Sequence, residues 1–310
     1  MPALSLPTFP SAPALLPDYL QERFGRIKHI ISDTDATMVT HGSALCDSAG
    51  NPSVELPEAL VALQRIGIDV IPCTGRSRAM IREVVRMLGL PGWIGEMGGI
   101  LCLHEGTTSD WQYFTADMSF DPNCGKTPHE VIVETGIVER MQKRWFDSLE
   151  LYNDNGIGYQ YREVSVAFRG AVMEDEVRQM MDETGLPLYL ADNGMVTRIT
   201  GDTILPTVAG ERLEDVHTYH ITPRGLDKGS AVARYIELMG WDSEECLACG
   251  DSPADCEMAK HVGTFMLMRN GINNPKSQAV LADATNAFVS TRPSTDGWCD
   301  MANLLAALHS

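Results

Sequence analysis

Short β-rich runs alternate with helical periodicity at both ends of this 310-residue chain, and this alternation constrains the fold more than any other feature. One helical pattern places Leu56, Leu60, Leu63 and Ile66 on a single face. The alternation covers about residues 28–103 and returns between 227 and 268. β–α alternation of this kind predicts a parallel sheet with helices on its faces, which is a Rossmann-like α/β core.

A segment of different character separates the two alternating regions. Between about 105 and 215, helical and strand patterns follow one another in an order typical of an α+β unit. We therefore predict a core formed by residues 25–104 and 216–310, with an inserted α+β domain at 105–215. Residues 1–24 are interrupted by prolines, and we interpret them as an N-terminal extension.

Composition narrows the range of partners and the cellular location. The net charge of −18 and the pI of about 4.7 argue against binding to nucleic acid or to anionic lipid. The first residues lack Lys and Arg, and no apolar run is long enough to cross a membrane. The eight cysteines are scattered, and the Cys246/Cys249 pair has no second pair to complete a zinc site. We expect structural thiols and a cytoplasmic location.

Reactive polar groups follow the predicted strands. Because the carboxyl ends of parallel strands share one edge of a sheet, these groups should converge. Several carboxylates so close together need a compensating charge, and Mg²⁺ bound by oxygen ligands supplies it, often beside a phosphate substrate. The groups are the three sequences Asp33-Thr34-Asp35, Thr74-Gly75-Arg76 and Gly250-Asp251-Ser252, together with Lys228 at a helix start.

These motifs resemble those of haloacid dehalogenase-like (HAD) superfamily phosphohydrolases. The D-x-D-x-T motif of that family corresponds to residues 33–37, and its strand-end Ser or Thr corresponds to Thr74. Its lysine corresponds to Lys228, and its G-D-x-x-x-D motif corresponds to Gly250, Asp251 and Asp255. The position of the insertion is similar to that of the subgroup with a large α/β cap, so the resemblance implies that residues 105–215 form a cap that sets substrate specificity.

Within that subgroup the chain is most similar to mannosyl-3-phosphoglycerate phosphatases and neighbouring sugar phosphatases. The similarity lies in "GEMGGIL" at 95–101, "YREVSVAF" at 161–168 and "TDGWCDMANLL" at 295–305. It implies substrate contacts by Arg162 and Glu163. The chain departs from the common pattern at Ala36, Met97 and Ala254, which replace Gly, Asn and Asn respectively.

The resemblance also implies a mechanism. Asp33 attacks phosphorus to form an aspartyl-phosphate, and Asp35 serves first as general acid and then as general base. Lys228 and the ion keep the pKa of Asp33 low. The implied ligands of Mg²⁺ are Asp33, the backbone carbonyl of Asp35, and Asp251, with Asp255 in support. The implied phosphate-binding groups are Thr74, Gly75 and Lys228. From their positions in the sequence we add Arg76, for which pairing with an acid is the alternative, and Asn270, which follows a predicted strand.

Two alternatives remain open at this point. A phosphomutase or phosphotransferase of the phosphomannomutase kind shares this core and cap, and it would pass the phosphoryl group to a sugar hydroxyl instead of water. A non-catalytic binding protein on the same core is the other alternative, although the four intact motifs favour an enzyme. The expected partner is a small-molecule phosphate ester, and the sequence does not decide between a monomer and a homo-oligomer.

Overall fold

The fold was analysed in a computed structural model that describes residues 6–10, 16–40, 42–152, 161–195, 207–208, 211–212 and 216–309. The chain divides into two compact units. The first comprises residues 1–75, 81–111 and 227–310, and the second comprises 76–80 and 112–226. The domain boundaries drawn from the sequence stay a prediction, and stretches 153–160 and 196–206 of the predicted insertion lie outside the described residues.

A five-stranded parallel sheet forms the centre of the first unit. Its strands run in the order β14 (Ala287–Val289), β13 (Thr264–Leu267), β12 (Cys246–Gly250), β1 (His29–Ser32) and β2 (Asp69–Pro72). In register, Ile30 lies between Leu247 of β12 and Val70 of β2. The interior position of β1 explains its apolar sequence, since both faces of a parallel sheet are covered. The predicted α/β class with a parallel sheet is confirmed.

The helices of the first unit follow the predicted alternation. In α2 (Glu55–Arg65) the side chains of Leu56, Leu60 and Leu63 are buried, whereas Ile66 is the half-buried C-cap. Helix α7 begins with a capping box in which Asp227 accepts a hydrogen bond from the Ser230 N–H. The other elements that lie wholly in this unit are α1 (Asp18–Phe24), β3 (Trp93–Gly95), β4 (Ile100–His104), α7 (Lys228–Met239), α8 (Pro253–Cys256), α9 (Pro275–Val280) and α10 (Ser294–Leu308). Helix α3 (Arg78–Leu88) and strand β5 (Asp110–Tyr113) are each divided between the two units.

Part of the N-terminal extension adds to the edge of the parallel sheet. The Phe9 N–H donates to the Val289 carbonyl at 2.6 Å, and the Val289 N–H donates to the Pro7 carbonyl at 2.9 Å. The buried ring of Phe9 contacts Phe24 and Phe288. These contacts cover an otherwise unpaired strand edge, which is a common site of unwanted pairing between chains.

In the described part of the second unit, a four-stranded antiparallel sheet is accompanied by three helices. The strand order is β6 (Leu149–Leu151), β7 (Val166–Gly170), β11 (His217–Pro223) and β8 (Leu188–Met195). One face of this sheet, including Phe168 and Ile221, packs into an apolar core with residues of the helices. The helices are α4 (Pro128–Val133), α5 (Ile137–Arg144) and α6 (Glu174–Asp182), and β9 (Thr207–Val208) pairs with β10 (Glu211–Arg212).

Within the described residues, no helix combines the length and the apolar character needed to cross a membrane.

Candidate active site

A buried lysine joins two aspartates at the carboxyl edge of the parallel sheet. Asp33 directly follows β1, and its N–H donates to the Cys249 carbonyl on β12 at 2.9 Å. The Lys228 ammonium donates to Asp33 Oδ1 at 2.6 Å and to Asp255 Oδ1 at 2.5 Å. All three side chains of this ion-paired group are buried. Charged groups are retained away from water only when they are paired in this way.

The second oxygen of Asp255 fixes the turn after β12. Asp255 Oδ2 accepts hydrogen bonds from the Asp251 N–H at 3.1 Å, the Ser252 N–H at 2.9 Å and the Ser252 hydroxyl at 2.6 Å. A Cβ at Gly250 would lie 2.1 Å from the Cβ of Asp255, so only glycine fits there. Both oxygens of Asp255 are therefore engaged by protein donors, and Asp255 supports the turn and Lys228.

Three carboxylates are close enough together to hold a cation. Oxygen atoms of Asp33, Asp251 and Asp255 lie within 4.8 Å of one another. One ammonium, that of Lys228, cannot balance three carboxylates, so the ionised cluster retains negative charge. An all-oxygen donor set with surplus negative charge suits a hard divalent ion such as Mg²⁺. The residues thus fit the predicted cofactor.

The protonation of this cluster depends on burial. Burial raises the pKa of Asp33 to about 8, opposed by Lys228 and reinforced by Asp255 and Asp251. Burial likewise raises the pKa of Asp251 to about 7, with the Asp255 charge adding to the effect. For Lys228, burial lowers the pKa, but Asp255 and Asp33 outweigh it and leave the pKa well above its usual value. The Lys228 ammonium favours the ionised form of Asp33, whereas burial and the neighbouring carboxylates oppose it.

A hydroxyl pair lies beside the Asp33 cluster. The buried Thr34 hydroxyl donates to Thr74 Oγ1 at 2.9 Å and lies 3.2 Å from Asp35 Oδ2, which it also approaches as donor. The Thr74 side chain is buried, while Asp35 is exposed. The Thr34 hydroxyl therefore contacts both the predicted phosphate-binding hydroxyl of Thr74 and the predicted acid–base carboxyl of Asp35.

Two further side chains hold Asp251 from opposite sides. Thr37 donates to Asp251 Oδ1 at 3.3 Å, and Asn270 donates to Asp251 Oδ2 at 2.9 Å. The Asn270 amide also donates to the Ala36 carbonyl at 3.0 Å and accepts from the Ser294 N–H at 2.9 Å. This geometry favours a role for Asn270 in orienting Asp251. The phosphate contact predicted for Asn270 stays a prediction.

Two of the departures from the common motif pattern lie at backbone positions with positive φ. Ala36 has φ of 58° and Met97 has φ of 59°. Gly and Asn adopt this left-handed region readily, whereas Ala and Met do so at an energetic disadvantage. Met97 also faces Gly75, where an added Cβ would lie 3.1 Å from the Met97 sulfur. The strained backbone therefore lies at the predicted phosphate-binding loop and at the D-x-D-x-T turn.

The remaining predicted site residues belong to the second unit. There the Arg162 guanidinium donates to the Ser165 hydroxyl at 3.0 Å. The Glu163 carboxylate accepts from Arg78 at 2.7 Å and from the Tyr113 hydroxyl at 2.6 Å. Arg76 is half-buried and falls in the 76–80 stretch of the same unit. Substrate contacts by Arg162 and Glu163, and a phosphate contact by Arg76, stay predictions.

Comparison with known proteins supports the resemblance drawn from the motifs. Residues 213–287 match the family described as haloacid dehalogenase-like hydrolase. That match includes Lys228, Asp251 and Asp255, and the fold comparisons below agree with it. These matches support the resemblance to haloacid dehalogenase-like hydrolases that the motifs indicate. The enzyme class predicted from its motifs, a phosphoric monoester hydrolase, is confirmed at that level.

Several curated and solved proteins are similar to this hydrolase. A phosphoglycolate phosphatase of Methanoculleus marisnigri is 24% identical over 245 residues, covering 79% of this chain and 85% of that protein. A HAD-superfamily phosphatase of Bacteroides thetaiotaomicron has a TM-score of 0.59 at 15% identity, covering 96% of this chain and 100% of that one. The Synechocystis sucrose-phosphatase, solved with sucrose and phosphate, has a TM-score of 0.56 at 16% identity, covering 89% and 97% respectively. The two structural likenesses establish the shared fold alone.

Residues that sequence reasoning did not assign also contribute to the site of the hydrolase. The motifs assign no role to Thr34 or Ser252, and Thr37 is only the last residue of D-x-D-x-T. A threonine between two aspartates at the end of an apolar run is itself a signal, because a buried hydroxyl needs partners. The sequence contains that signal but does not say which partners the hydroxyl finds.

Proposed function

We propose that this hydrolase is a Mg²⁺-dependent phosphatase that acts through an aspartyl-phosphate on a phosphorylated sugar acid, of which a glycosyl-3-phosphoglycerate is the first candidate. The observation that carries the proposal is the buried Lys228 ammonium bonded to both Asp33 and Asp255 within the acidic cluster. A buried nucleophilic carboxylate beside a fixed ammonium suits attack on an anionic phosphoryl group, because the ammonium offsets charge repulsion.

The first step transfers the phosphoryl group to the protein. An Asp33 carboxylate oxygen forms a bond to phosphorus while the bond from phosphorus to the ester oxygen breaks. Asp35 donates its proton to the departing alcohol oxygen, which leaves as a neutral alcohol. The Thr74 hydroxyl, the Gly75 N–H and Lys228 hold the phosphoryl oxygens in this assignment.

The second step releases phosphate. The Asp35 carboxylate takes a proton from water as the water oxygen bonds to phosphorus and the bond from phosphorus to Asp33 breaks. Asp33 returns as a carboxylate and Asp35 returns in its protonated form. Asp33, Asp251 and the Asp35 carbonyl would hold Mg²⁺, which when bound supplies charge neutralisation for the phosphoryl oxygens.

A carboxylate-bearing leaving group is supported from two directions. The resemblance of "YREVSVAF" to a cap segment of mannosyl-3-phosphoglycerate phosphatases points to a glycosylated phosphoglycerate. The curated relatives named as phosphoglycolate phosphatases make phosphoglycolate the second candidate. Both molecules join a phosphate ester to a short carboxylic acid, so the two candidates differ mainly in the sugar.

The test is release of inorganic phosphate from a panel of esters, with Mg²⁺ and with EDTA. The panel contains mannosyl- and glucosyl-3-phosphoglycerate, phosphoglycolate, sucrose-6-phosphate, hexose phosphates and 4-nitrophenyl phosphate. We expect Mg²⁺-dependent release that Asp33→Asn abolishes, with kcat/KM highest for a carboxylate-bearing ester.

Other outcomes would redirect the assignment. A best substrate without a carboxylate would overturn the proposed substrate class and leave the phosphatase intact. Loss of a sugar phosphate with formation of an isomeric phosphate, and no free phosphate, would establish the mutase alternative. Binding of esters with no turnover of any of them would favour a non-catalytic protein.

A further inference from the structure

We propose that Thr34 is a positioning residue whose hydroxyl links the acid–base carboxyl of Asp35 to the phosphate-contacting hydroxyl of Thr74. The inference rests on the function proposed above, because it assigns Thr34 a role in that reaction. It concerns the middle residue of Asp33-Thr34-Asp35, which the mechanism of the two aspartates leaves unused.

The geometry around Thr34 is that of a connecting group. The residue is 1% exposed, so its hydroxyl is shielded from water. The hydroxyl lies 2.9 Å from Thr74 Oγ1 and 3.2 Å from Asp35 Oδ2, and it is the donor to both. The Thr34 carbonyl accepts from the Val39 N–H at 2.8 Å, which fixes the turn that contains the residue.

One hydroxyl carries a single proton, so the two acceptors share it. Once Asp35 has given its proton to the leaving group, its carboxylate is a charged acceptor, and hydrogen bonds to charged acceptors are about twice as strong as neutral ones. The Thr34 hydroxyl therefore stabilises Asp35 more after proton transfer than before it. An interaction that strengthens along the reaction lowers the barrier, whereas a uniform one does not.

A purely structural role is the competing explanation. A buried threonine needs a partner for its hydroxyl wherever it lies, and Thr74 alone would satisfy that need. The two explanations differ in how the effect of removing the hydroxyl on kcat/KM depends on the leaving group. Only a role through Asp35 makes the effect large for an alcohol that needs a proton and small for a nitrophenolate that does not.

The experiment compares wild type, Thr34→Val and Thr34→Ser on the best alkyl ester of the panel and on 4-nitrophenyl phosphate. The readout is kcat/KM, which covers steps up to the first irreversible transfer. We expect Thr34→Val to lower kcat/KM about 10- to 100-fold for the alkyl ester and less than about threefold for the nitrophenyl ester. Thr34→Ser, which keeps the hydroxyl, should recover the alkyl ester to within about threefold of wild type.

A double-mutant cycle sharpens the test. In an Asp35→Asn background, Thr34→Val should add no further loss that depends on the leaving group, because the group it acts through is gone. Thr74 provides a second readout. The inhibition constant of inorganic phosphate should rise by no more than about threefold in Thr34→Val, because the lost bond to the Thr74 hydroxyl affects the phosphoryl group that both esters share.

Equal losses on both esters, accompanied by a lower Tm, would overturn the inference in favour of a structural role. An alkyl-ester kcat/KM unchanged in Thr34→Val would overturn it as well. If Thr34→Val does not fold, Thr34→Ala replaces it, and the same larger loss of kcat/KM on the alkyl ester is expected. Failure of the proposed function would look different, since the wild type would then release no phosphate, or phosphate release would survive Asp33→Asn.

Discussion

The first unit buries charge, whereas the second unit buries a neutral side chain and leaves its charges near solvent. In the first, Lys228, Asp33 and Asp255 form ion pairs in the interior. In the second, His220 is 3% exposed on β11, and its Nδ1 has no hydrogen-bond partner among the described residues. The ion pairs of the second unit, such as Arg144 with Glu176, are partly exposed.

The two units differ in the charge state of their buried ionisable groups. Removing an ion from water is unfavourable by several kcal/mol even after the protein relaxes. A buried charge is therefore rare at a position that has no functional role. Burial and the nearby Arg162 charge lower the pKa of His220 well below its usual value, which keeps the imidazole neutral. In the first unit, burial raises the pKa of Asp33 and Asp251, and the proposed reaction requires their charged forms. The two units should therefore respond to pH with opposite sign.

The largest effect should come from removing the buried cation. Lys228→Met leaves Asp33 and Asp255 without their ammonium partner, and unpairing a buried ion pair is unfavourable by about 3–5 kcal/mol. The loss should be greater at pH 8 than at pH 5, because the carboxyls can take up protons in acid. Urea unfolding at both pH values measures it, together with phosphate release, which should disappear.

The matched control is Lys260→Met, which removes a lysine paired with Glu257 at the surface. An exposed ion pair contributes little, so Tm should stay within about 2 °C of wild type. A Lys228→Met protein as stable as this control at pH 8 would contradict the assignment of Lys228 as a buried, charge-balancing group.

The second effect is the pH dependence of the first unit without metal. The pKa of Asp33 rises to about 8 and that of Asp251 to about 7, both above the usual aspartate value. The folded protein then holds protons that the unfolded chain has released, so the free energy of unfolding falls as pH rises from about 4 towards 8. Each group contributes a slope of at most about 1.4 kcal/mol per pH unit.

Urea unfolding in EDTA at pH 5, 6, 7 and 8 measures this slope, and Mg²⁺ should restore stability most at pH 8. Asp33→Asn should flatten the slope, because it removes one titrating group. If the free energy of unfolding in EDTA rises between pH 5 and pH 8, the ionised cluster does not lack positive charge, and the prediction is wrong.

The third effect should have the opposite sign and lie in the second unit. His220 is neutral in the folded state, whereas the unfolded histidine takes up a proton below about pH 6.5. The stability contribution of His220 is therefore present above that pH and is lost in acid. Hydrogen exchange of the β11 amides at pH 7 and pH 5 should show lost protection in acid, and His220→Phe should reduce that loss.

His217→Phe is the matched control on the same strand, since the His217 side chain is 29% exposed and contacts Asp192. It should leave the acid sensitivity of β11 in place. If His217→Phe removes the sensitivity and His220→Phe does not, then the buried neutral histidine is not its source.

The smallest effect concerns backbone strain near the buried charges. Ala36 has φ of 58°, so Ala36→Gly should relieve about 1–2 kcal/mol of left-handed strain. The greater freedom of glycine in the unfolded chain offsets about 0.4–1 kcal/mol of this gain. A rise in Tm of a few degrees is expected at most.

The same substitution at Ala62, inside α2, should lower stability by about 1 kcal/mol, because glycine is unfavourable in a helix. Thermal unfolding of the two variants provides the comparison. A loss at both positions would mean that the Ala36 turn is not strained in solution.

Local periodicity in the sequence predicts the alternating helices and strands, but it does not predict which strands pair in which sheet. The spacing of Leu56, Leu60 and Leu63 predicted α2, and the structure buries all three, because helical facing depends on neighbours within one or two turns. Strand β11 is different. It pairs with β7 and β8 of the second unit, and nothing within its own seven residues specifies partners so far along the chain.

For the candidate site, the sequence by itself determined which groups gather at the sheet edge, since motifs that follow parallel strands share that edge. Lys228 was recognisable from its motif, although it lies 195 residues from Asp33. Only the tertiary structure decided that both oxygens of Asp255 are engaged, that Asn270 holds Asp251, and that the Thr34 hydroxyl reaches Thr74 and Asp35. Hydrogen bonds are directional over a few tenths of an ångström, and such distances are set by the packing of distant segments.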